Sequence, residues 1–171
     1  MNLRTMAYIS VTSVLIVICA WLTVPSVIPF TMQTFGIFFA LLFLGGKKGT
    51  ASILIYLLLG ALGLPVFSGI SGGVGRLFGA TGGYMLGFIL TGIIYIIFEK
   101  VFGLSLKASV AALVFGLLVC YIFGTLWFSV YKENTDFVSA LSVCVIPFII
   151  PDLLKLSLAV VLVKRLKKAS V

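Results

Sequence analysis

The chain has 171 residues, of which 62% are hydrophobic and only 9% are charged, and its mean hydropathy is +1.32. So few charged residues cannot cover a water-soluble domain, and the composition predicts one integral membrane domain over residues 1–171. The net charge of +8 does not indicate nucleic-acid binding, because the basic residues cluster at the ends of apolar segments. The chain has no histidine, and its three cysteines lack metal-ligand spacing, so we expect no histidine-based catalysis, metal or cofactor.

Six apolar segments predict the transmembrane helices of an all-α membrane protein. We place them at residues 5–24, 34–44, 50–62, 82–102 and 106–130, with a sixth helix whose first turn contains Pro151. The first segment is longer than the apolar part of a signal peptide and no A-x-A site follows it, so we expect it to be retained. Prolines interrupt regular helix after it. The sequence GGKKG predicts a turn, and a glycine-rich loop at 63–81 precedes the fourth helix.

The lysine and arginine residues predict how these helices are oriented. Six spans put both termini on one side of the membrane. Nine basic residues then lie on that side: Arg4, Lys47, Lys48, Lys100, Lys107, Lys164, Arg165, Lys167 and Lys168. Arg76 and Lys132 lie on the other side, and Lys155 lies within a span. Because cytoplasmic loops carry the excess of basic residues, both termini are predicted to be cytoplasmic. The loops that follow the first, third and fifth predicted helices, called loops 1, 3 and 5, are predicted to face outward; loop 3 is the glycine-rich loop at 63–81.

The second and third predicted helices are too short to cross a bilayer alone. If they end early, loops 1 and 3 descend below the outer surface. Non-helical backbone is tolerated at that depth only where it lines a cavity or is buried in protein. The sequence therefore predicts an outward-facing pocket walled by loops 1, 3 and 5. Irregular outer loops over a thinned bilayer are the alternative interpretation.

Asp152 and Lys155 are the least expected residues of the apolar segments. With Lys164 at the inner interface, Asp152 lies about 18 Å above it, in the outer half of the membrane and near the predicted pocket. Charged residues at such depth usually mark a substrate or ion site. The spacing i,i+3 places both on one helix face, so one ligand could meet both, and a first-turn position suits a carboxylate. A self-neutralising structural pair is the alternative interpretation.

Other candidate binding residues lie on the same side of the predicted bundle. Arg76 is the only charged residue of loop 3, and a guanidinium beside glycine backbone suits a carboxylate or phosphate. A solvated arginine, or one facing lipid headgroups, fits the sequence equally well. Thr31, Gln33, Tyr84 and Trp127 add hydrogen-bonding groups or ring faces, although such residues are common at membrane interfaces in any case.

The sequence carries no motif for ATP hydrolysis. A phosphate loop ending at Gly46 and Lys47 would need glycine at position 41 and serine or threonine at 48, which are Leu41 and Lys48. No GxGxxG motif occurs either, and no nucleophile lies beside a general base. We therefore expect a protein that is not an enzyme, and active uptake would require partner subunits.

Four segments in order, "PFTMQTFGIFFALLFLG", "GALGLPVFSG", "GATGGYMLGF" and "PDLLK", resemble BioY, the biotin-specific S component of energy-coupling factor (ECF) transporters. The resemblance spans nearly the whole chain, with Ala80 where the family commonly has proline. It implies the ECF S-component fold of six transmembrane helices, with the vitamin held near the outer face under the odd-numbered loops. The family's aspartate and lysine on the last helix carry over to Asp152 and Lys155.

The resemblance also implies how biotin would bind. The ureido group would meet Asp152 and Lys155, and the ring and valeryl chain would meet apolar or aromatic walls. The valeryl carboxylate would meet a cation or glycine backbone. The candidates for the apolar or aromatic wall are Phe67, Tyr84 and Trp127. The candidates for binding the carboxylate are Arg76 and the glycines, including Gly82 and Gly83. An S component for riboflavin or thiamin is an alternative, and a membrane enzyme or assembly protein is a further one.

The family's partners are a transmembrane coupling (T) subunit and two ATPase (A) subunits, which hydrolyse ATP for uptake. The resemblance places the protein in the cell membrane of a prokaryote as a multi-pass protein. Coupling partners dock on small residues of the first helix, often an Ala-x-x-x-Ala pair. Here the corresponding residues are Ala7 and Val11, with Ser10 alongside, so the match is imperfect.

Overall fold

The computed structural model describes residues 2–25, 28–132 and 136–169 and is mostly helical. The helices are α1 (Leu3–Trp21), α2 (Gln33–Leu44), α3 (Gly46–Ala61), α4 (Val74–Leu77), α5 (Gly82–Phe102), α6 (Leu106–Tyr131), α7 (Phe137–Cys144) and α8 (Ile146–Ala169). Each of the six segments predicted to be helical overlaps one helix, in chain order α1, α2, α3, α5, α6 and α8. Parts of predicted loops 1 and 5, residues 26–27 and 133–135, lie outside the described residues.

The six main helices of the bundle differ in length. Within the described ranges, α1, α5, α6 and α8 are long and apolar enough to cross a membrane. Helices α2 and α3 have 12 and 16 residues, fewer than the roughly 20 that a span needs. The prediction that these two helices are short is confirmed. Helix α2 packs against α1, α3 and α8, so it lies inside the bundle rather than at its edge.

The predicted turn at GGKKG is wrong in its extent. Only Gly45 lies between α2 and α3, and its φ of 82° falls in the left-handed region that favours glycine. Helix α3 begins at Gly46, so Lys47 and Lys48 belong to its first turn. The Glu99 carboxylate of α5 accepts a hydrogen bond from the Gly46 N–H at 2.7 Å. A carboxylate at a helix N-terminus satisfies an unpaired donor and the helix dipole, which allows α3 to begin early.

The predicted start of the last helix is also wrong. Helix α8 begins at Ile146, so Pro151 lies inside it and Asp152 lies in its second turn. The first-turn dipole argument for Asp152 therefore fails. Before α8, the apolar segment after the polar stretch forms the separate short helix α7.

The loops at the other end of the bundle contain regular structure that the sequence did not predict. In loop 1, Thr23–Val24 (β1) pairs antiparallel with Phe30–Thr31 (β2), Thr23 opposite Thr31. In loop 3, Phe67 and Ser71 form a bridge, and Val74–Leu77 forms α4. Both loops thus satisfy part of their backbone hydrogen bonding internally, which buried non-helical backbone in a membrane protein requires.

Helices α5 and α6 form the most extensive contact of the bundle, and glycine allows their close approach. A Cβ atom added at Gly116 would lie 2.6 Å from Thr91 Cγ2 and 3.0 Å from Thr91 Cα. The Thr91 hydroxyl donates to the Gly116 carbonyl at 3.0 Å, so the contact joins the helices by a hydrogen bond as well.

We expect Gly116→Ala to destabilise the protein, because the added methyl group pushes α5 and α6 apart at a cost of about 1–3 kcal/mol. The measurement is the melting temperature in detergent. Gly75→Ala is the matched control, since no atom lies within 4 Å of an added Cβ there. Equal melting temperatures for the two variants would contradict the proposed close packing.

Candidate functional site

A pocket lies among α2, α5, α6, α7 and α8, with residues of loops 1 and 3 along its edge. Its empty space measures about 630 Å³, including the open mouth. Most of the lining is apolar and aromatic, from residues such as Ile28, Met85, Phe88, Leu117 and Phe148. A smaller number of polar groups, among them Gln33, Thr34, Asp152 and Lys155, also line it, which is the usual arrangement of a small-molecule site.

Asp152 and Lys155 form an ion pair at the pocket. Lys155 Nζ lies 2.8 Å from Asp152 Oδ1, and the two residues are only 5% and 2% exposed. The same carboxylate accepts hydrogen bonds from the hydroxyls of Thr34, at 2.8 Å, and Tyr121, at 2.6 Å. Three donors from three helices therefore fix the orientation of the Asp152 carboxylate.

The ammonium group of Lys155 has two further contacts, both with loop 1. Its Nζ donates to the Thr31 carbonyl at 2.7 Å and lies 4.3 Å from the centre of the Phe30 ring. The Phe30 ring stacks on Phe148 of α8. Strand β2 is thus tied to α8 by a charge-assisted hydrogen bond, a cation–π contact and a ring stack.

The pair is held in an environment where an isolated charge would be very unfavourable. Burying two charges costs several kcal/mol per ion, which their attraction offsets only when the remaining hydrogen bonds are satisfied. Here no buried side-chain nitrogen or oxygen of the described residues lacks a partner. The pair carries no net charge but places both an acceptor and a donor at the pocket.

Three other predicted residues, Gln33, Tyr84 and Thr31, line the pocket. Gln33 Nε2 donates to the Tyr56 hydroxyl at 2.8 Å, and the Tyr84 hydroxyl lies 3.0 Å from the hydroxyl of Thr125. Thr31 also lines it, and its carbonyl bonds Lys155. The structure therefore brings Thr31, Gln33, Tyr84, Asp152 and Lys155 together.

Arg76 and Phe67 do not line this pocket. Arg76 is exposed in α4, where its Nε donates to Ser71 Oγ at 2.9 Å and its Nη2 to the Ser68 carbonyl at 3.1 Å. Because Ser68 lines the pocket, Arg76 is connected to it through loop 3. Phe67 is fully buried edge-on against the Tyr56 ring, so it packs behind the pocket wall.

The predicted residues Trp127, Gly82 and Gly83 do not line the pocket either. They pack around loop 3. The Trp127 indole N–H donates to the Gly79 carbonyl at 3.0 Å. An added Cβ at Gly83 would overlap the Trp127 side chain, and one at Gly82 would overlap the Leu77 carbonyl. At the other end of the loop, the Trp21 indole N–H donates to the Pro65 carbonyl at 2.9 Å.

Sequence reasoning missed the residues that surround the ion pair. Tyr121 and Thr34 contact the Asp152 carboxylate, and Phe30 contacts Lys155. Thr34 adjoins Gln33, and Tyr121 is a hydroxyl-bearing residue in a strongly apolar helix. Those polar positions are the signal that the sequence offers, but only the hydrogen bonds in the folded structure show that they meet Asp152.

The three residues predicted to bind a partner lie on the outer face of α1. Ala7, Ser10 and Val11 are all exposed. The opposite face is fixed to α3, where the hydroxyls of Thr12 and Ser52 lie 2.7 Å apart. The exposed face is therefore available for contact with lipid or with another chain.

The fold and the site define a multi-pass helical membrane protein whose bundle encloses a small-molecule pocket with a buried ion pair. The model of the BioY family matches residues 1–170. The chain belongs to the BioY family.

Individual relatives support this assignment. The chain is 39% identical to a biotin transporter BioY of Thermotoga maritima over 173 residues, 99% of each chain. It is 40% identical to a probable biotin transporter BioY of Pyrococcus horikoshii over 141 residues, 82% of this chain and 81% of the relative. The crystal structure of the S-component for biotin from an ECF-type ABC transporter superposes with a TM-score of 0.85 at 30% identity, covering 96% of this chain and 91% of the other.

We expect Asp152→Asn and Lys155→Met each to lower the melting temperature, because each leaves a buried partner uncompensated, at about 3–5 kcal/mol. The double variant should recover much of this loss, since no unpaired charge remains. Thermal unfolding of all four proteins in detergent measures the coupling between the two sites. Strictly additive losses would show that the two groups do not stabilise each other.

Proposed function

We propose that this protein is the substrate-binding (S) subunit of an ECF-type transporter and that its pocket binds biotin. The observation that carries the proposal is the buried Asp152–Lys155 pair, which supplies an acceptor and a donor side by side in a largely apolar pocket. The names of the relatives and of the similar crystal structure support biotin as the ligand.

The chemistry of biotin suits this pocket. Its ureido group presents two N–H donors beside a carbonyl acceptor, so Asp152 can accept from it while Lys155 donates to it. The Asp152 carboxylate already accepts three hydrogen bonds and has room for about four. Biotin would therefore take the remaining acceptor position or displace the hydroxyl of Thr34. Tyr121 would keep the carboxylate oriented in either case.

The rest of the ligand would lie among the apolar side chains and under loop 3. Phe88, Leu117 and Phe148 provide walls for the thiophane ring and the valeryl chain. We assign Arg76 to holding Ser68 and the loop in place over the ligand, because its guanidinium already bonds Ser68 and Ser71. Direct contact between Arg76 and the biotin carboxylate would require loop 3 to rearrange.

We further propose that the chain crosses the membrane six times, with both termini in the cytoplasm and the pocket open outward. The excess of basic residues at one end of the bundle supports this orientation. The short helices α2 and α3 would span together with the loops that close the pocket. The protein would reside in the cell membrane of a prokaryote and deliver biotin through a coupling subunit and two ATPase subunits.

We expect the purified protein to bind biotin one to one in calorimetry and to show no ATP hydrolysis. Asp152→Asn should weaken biotin binding more than tenfold, about 1.4 kcal/mol, because an amide replaces an acceptor-only carboxylate. Asp136→Asn is the matched control, since Asp136 is exposed at the start of α7. Near-normal affinity in folded Asp152→Asn would contradict the site, and riboflavin or thiamin binding without biotin binding would contradict the ligand.

We expect Ala7→Trp or Ser10→Trp to impair assembly with the coupling subunit while biotin binding stays intact. A large ring on the exposed face of α1 prevents the close helix contact that small residues allow. Ile122→Trp is the control, because Ile122 is exposed on α6, a helix that packs mainly on α5. Co-purification with coexpressed partner subunits measures assembly. Unchanged yield in the α1 variants would exclude this face as the docking surface.

A further inference from the structure

The hydroxyl groups of Ser68 and Thr81, both of loop 3, are available to the pocket. Both residues line it, and Ser68 is only 6% exposed. Within residues 2–25, 28–132 and 136–169, neither side chain makes a hydrogen bond. Every fully enclosed side-chain oxygen in those ranges does have a partner. The Ser68 hydroxyl is therefore not enclosed, and the pocket is the space that reaches it.

The backbone of Ser68 is held in place without any use of its side chain. Its carbonyl accepts hydrogen bonds from Ser71 Oγ at 2.8 Å and from Arg76 Nη2 at 3.1 Å. Arg76 Nε also donates to Ser71 Oγ at 2.9 Å, which closes a small network within the loop. A serine hydroxyl can donate one hydrogen bond and accept two. The orientation of Ser68 is thus fixed while the whole bonding capacity of its hydroxyl stays available for a ligand.

Thr81 lies directly before α5 and does not cap it. Threonine at this position commonly accepts a hydrogen bond from the first turn of the helix, with extended backbone. Here φ is −94° and ψ is 0°, and the side chain makes no capping bond. Helix α5 has 21 residues, and the N-terminus of a helix carries partial positive charge. The Thr81 hydroxyl therefore lines the pocket at the positive end of a helix dipole.

This part of the pocket favours an acceptor with negative charge. The ion pair of Asp152 and Lys155 carries no net charge, and the sequence of loop 3 contains no acidic residue. The guanidinium of Arg76 lies behind Ser68, at its carbonyl. Hydrogen bonds to an ionised acceptor are stronger than those to a neutral one. A carboxylate has two oxygens, so it can accept from both hydroxyls at once.

We propose that Ser68 and Thr81 bind the carboxylate at the end of the ligand's side chain, each donating its hydroxyl proton to one carboxylate oxygen. This inference rests on the proposed function, since the valeryl chain of biotin ends in a carboxylate. Arg76 is a positioning residue that acts through Ser68. The bound carboxylate would join the segment around Ser68 to the start of α5, so the acid group of the ligand holds loop 3 over the pocket.

Calorimetry with biotin and with biotinamide, its neutral analogue of nearly the same shape, tests this site. We expect wild type to prefer biotin by about tenfold or more, because a hydroxyl bonds a carboxylate more strongly than an amide. The double variant Ser68→Ala, Thr81→Val should lower biotin affinity by at least about tenfold and biotinamide affinity much less. Retained biotinamide binding shows that the pocket of the double variant is folded.

Two further variants serve as controls. Thr81→Ser keeps the hydroxyl and removes only a methyl group, so it should keep the preference for biotin. Ser142→Ala is the matched serine control, because Ser142 is exposed on α7, bonds the Ser139 carbonyl and does not line the pocket. It should leave both affinities unchanged. The melting temperature of each variant is measured in the same detergent.

The possible outcomes separate this site from its alternatives. Equal affinity of wild type for biotin and biotinamide would overturn the proposal, and so would a preference for biotin that survives in the double variant. A preference lost in Arg76→Gln but kept in the double variant would assign the carboxylate to the guanidinium instead. Wild type that binds neither compound would contradict the proposed function as well. Wild type that binds biotin without these differences contradicts the carboxylate site alone.

Discussion

The buried pair of Asp152 and Lys155 is the constraint on which the arrangement of the bundle depends. A carboxylate and an ammonium group in the interior of a membrane protein need partners on every side, and those partners come from different elements. Thr34 belongs to α2, Tyr121 to α6, and the Thr31 carbonyl to loop 1. Satisfying one ion pair therefore fixes the positions of two helices and a strand relative to α8, and the pocket is the space left between them.

The short helix α2 follows from the same requirement. If α2 were longer and began before Thr31, the Thr31 carbonyl would accept a hydrogen bond within the helix. It could then no longer accept one from Lys155, as it does now. Because α2 begins only at Gln33, loop 1 is free to turn toward α8. The backbone of this loop remains satisfied because its ends pair as β1 and β2. The need to provide partners for the buried ion pair therefore accounts for the depth of the pocket, the length of α2 and the structure of loop 1 together.

Much of this architecture could be predicted from the sequence. Long apolar segments, prolines and glycines located the helices, and the rarity of charges in apolar segments singled out Asp152 and Lys155. The start of α8 could not be predicted, because a proline is compatible with both a first turn and a helix interior packed against neighbours. The roles of Tyr121 and Arg76 depend on which residues meet in space. Hydroxyl groups are common in membrane helices, so the sequence does not single out Tyr121. The residues around Arg76 in the sequence do not show that its guanidinium bonds its own loop.

The hydrogen bonds of the two tryptophans have a consequence for studying this protein. Trp21 and Trp127 are the only tryptophans in the sequence, and each donates its indole N–H to a carbonyl of loop 3, at Pro65 and at Gly79. Indole emission depends on the polarity and hydrogen bonding around the ring. The unlabelled chain therefore carries an optical reporter at each end of the loop, and substitution of either tryptophan by phenylalanine would separate the two signals.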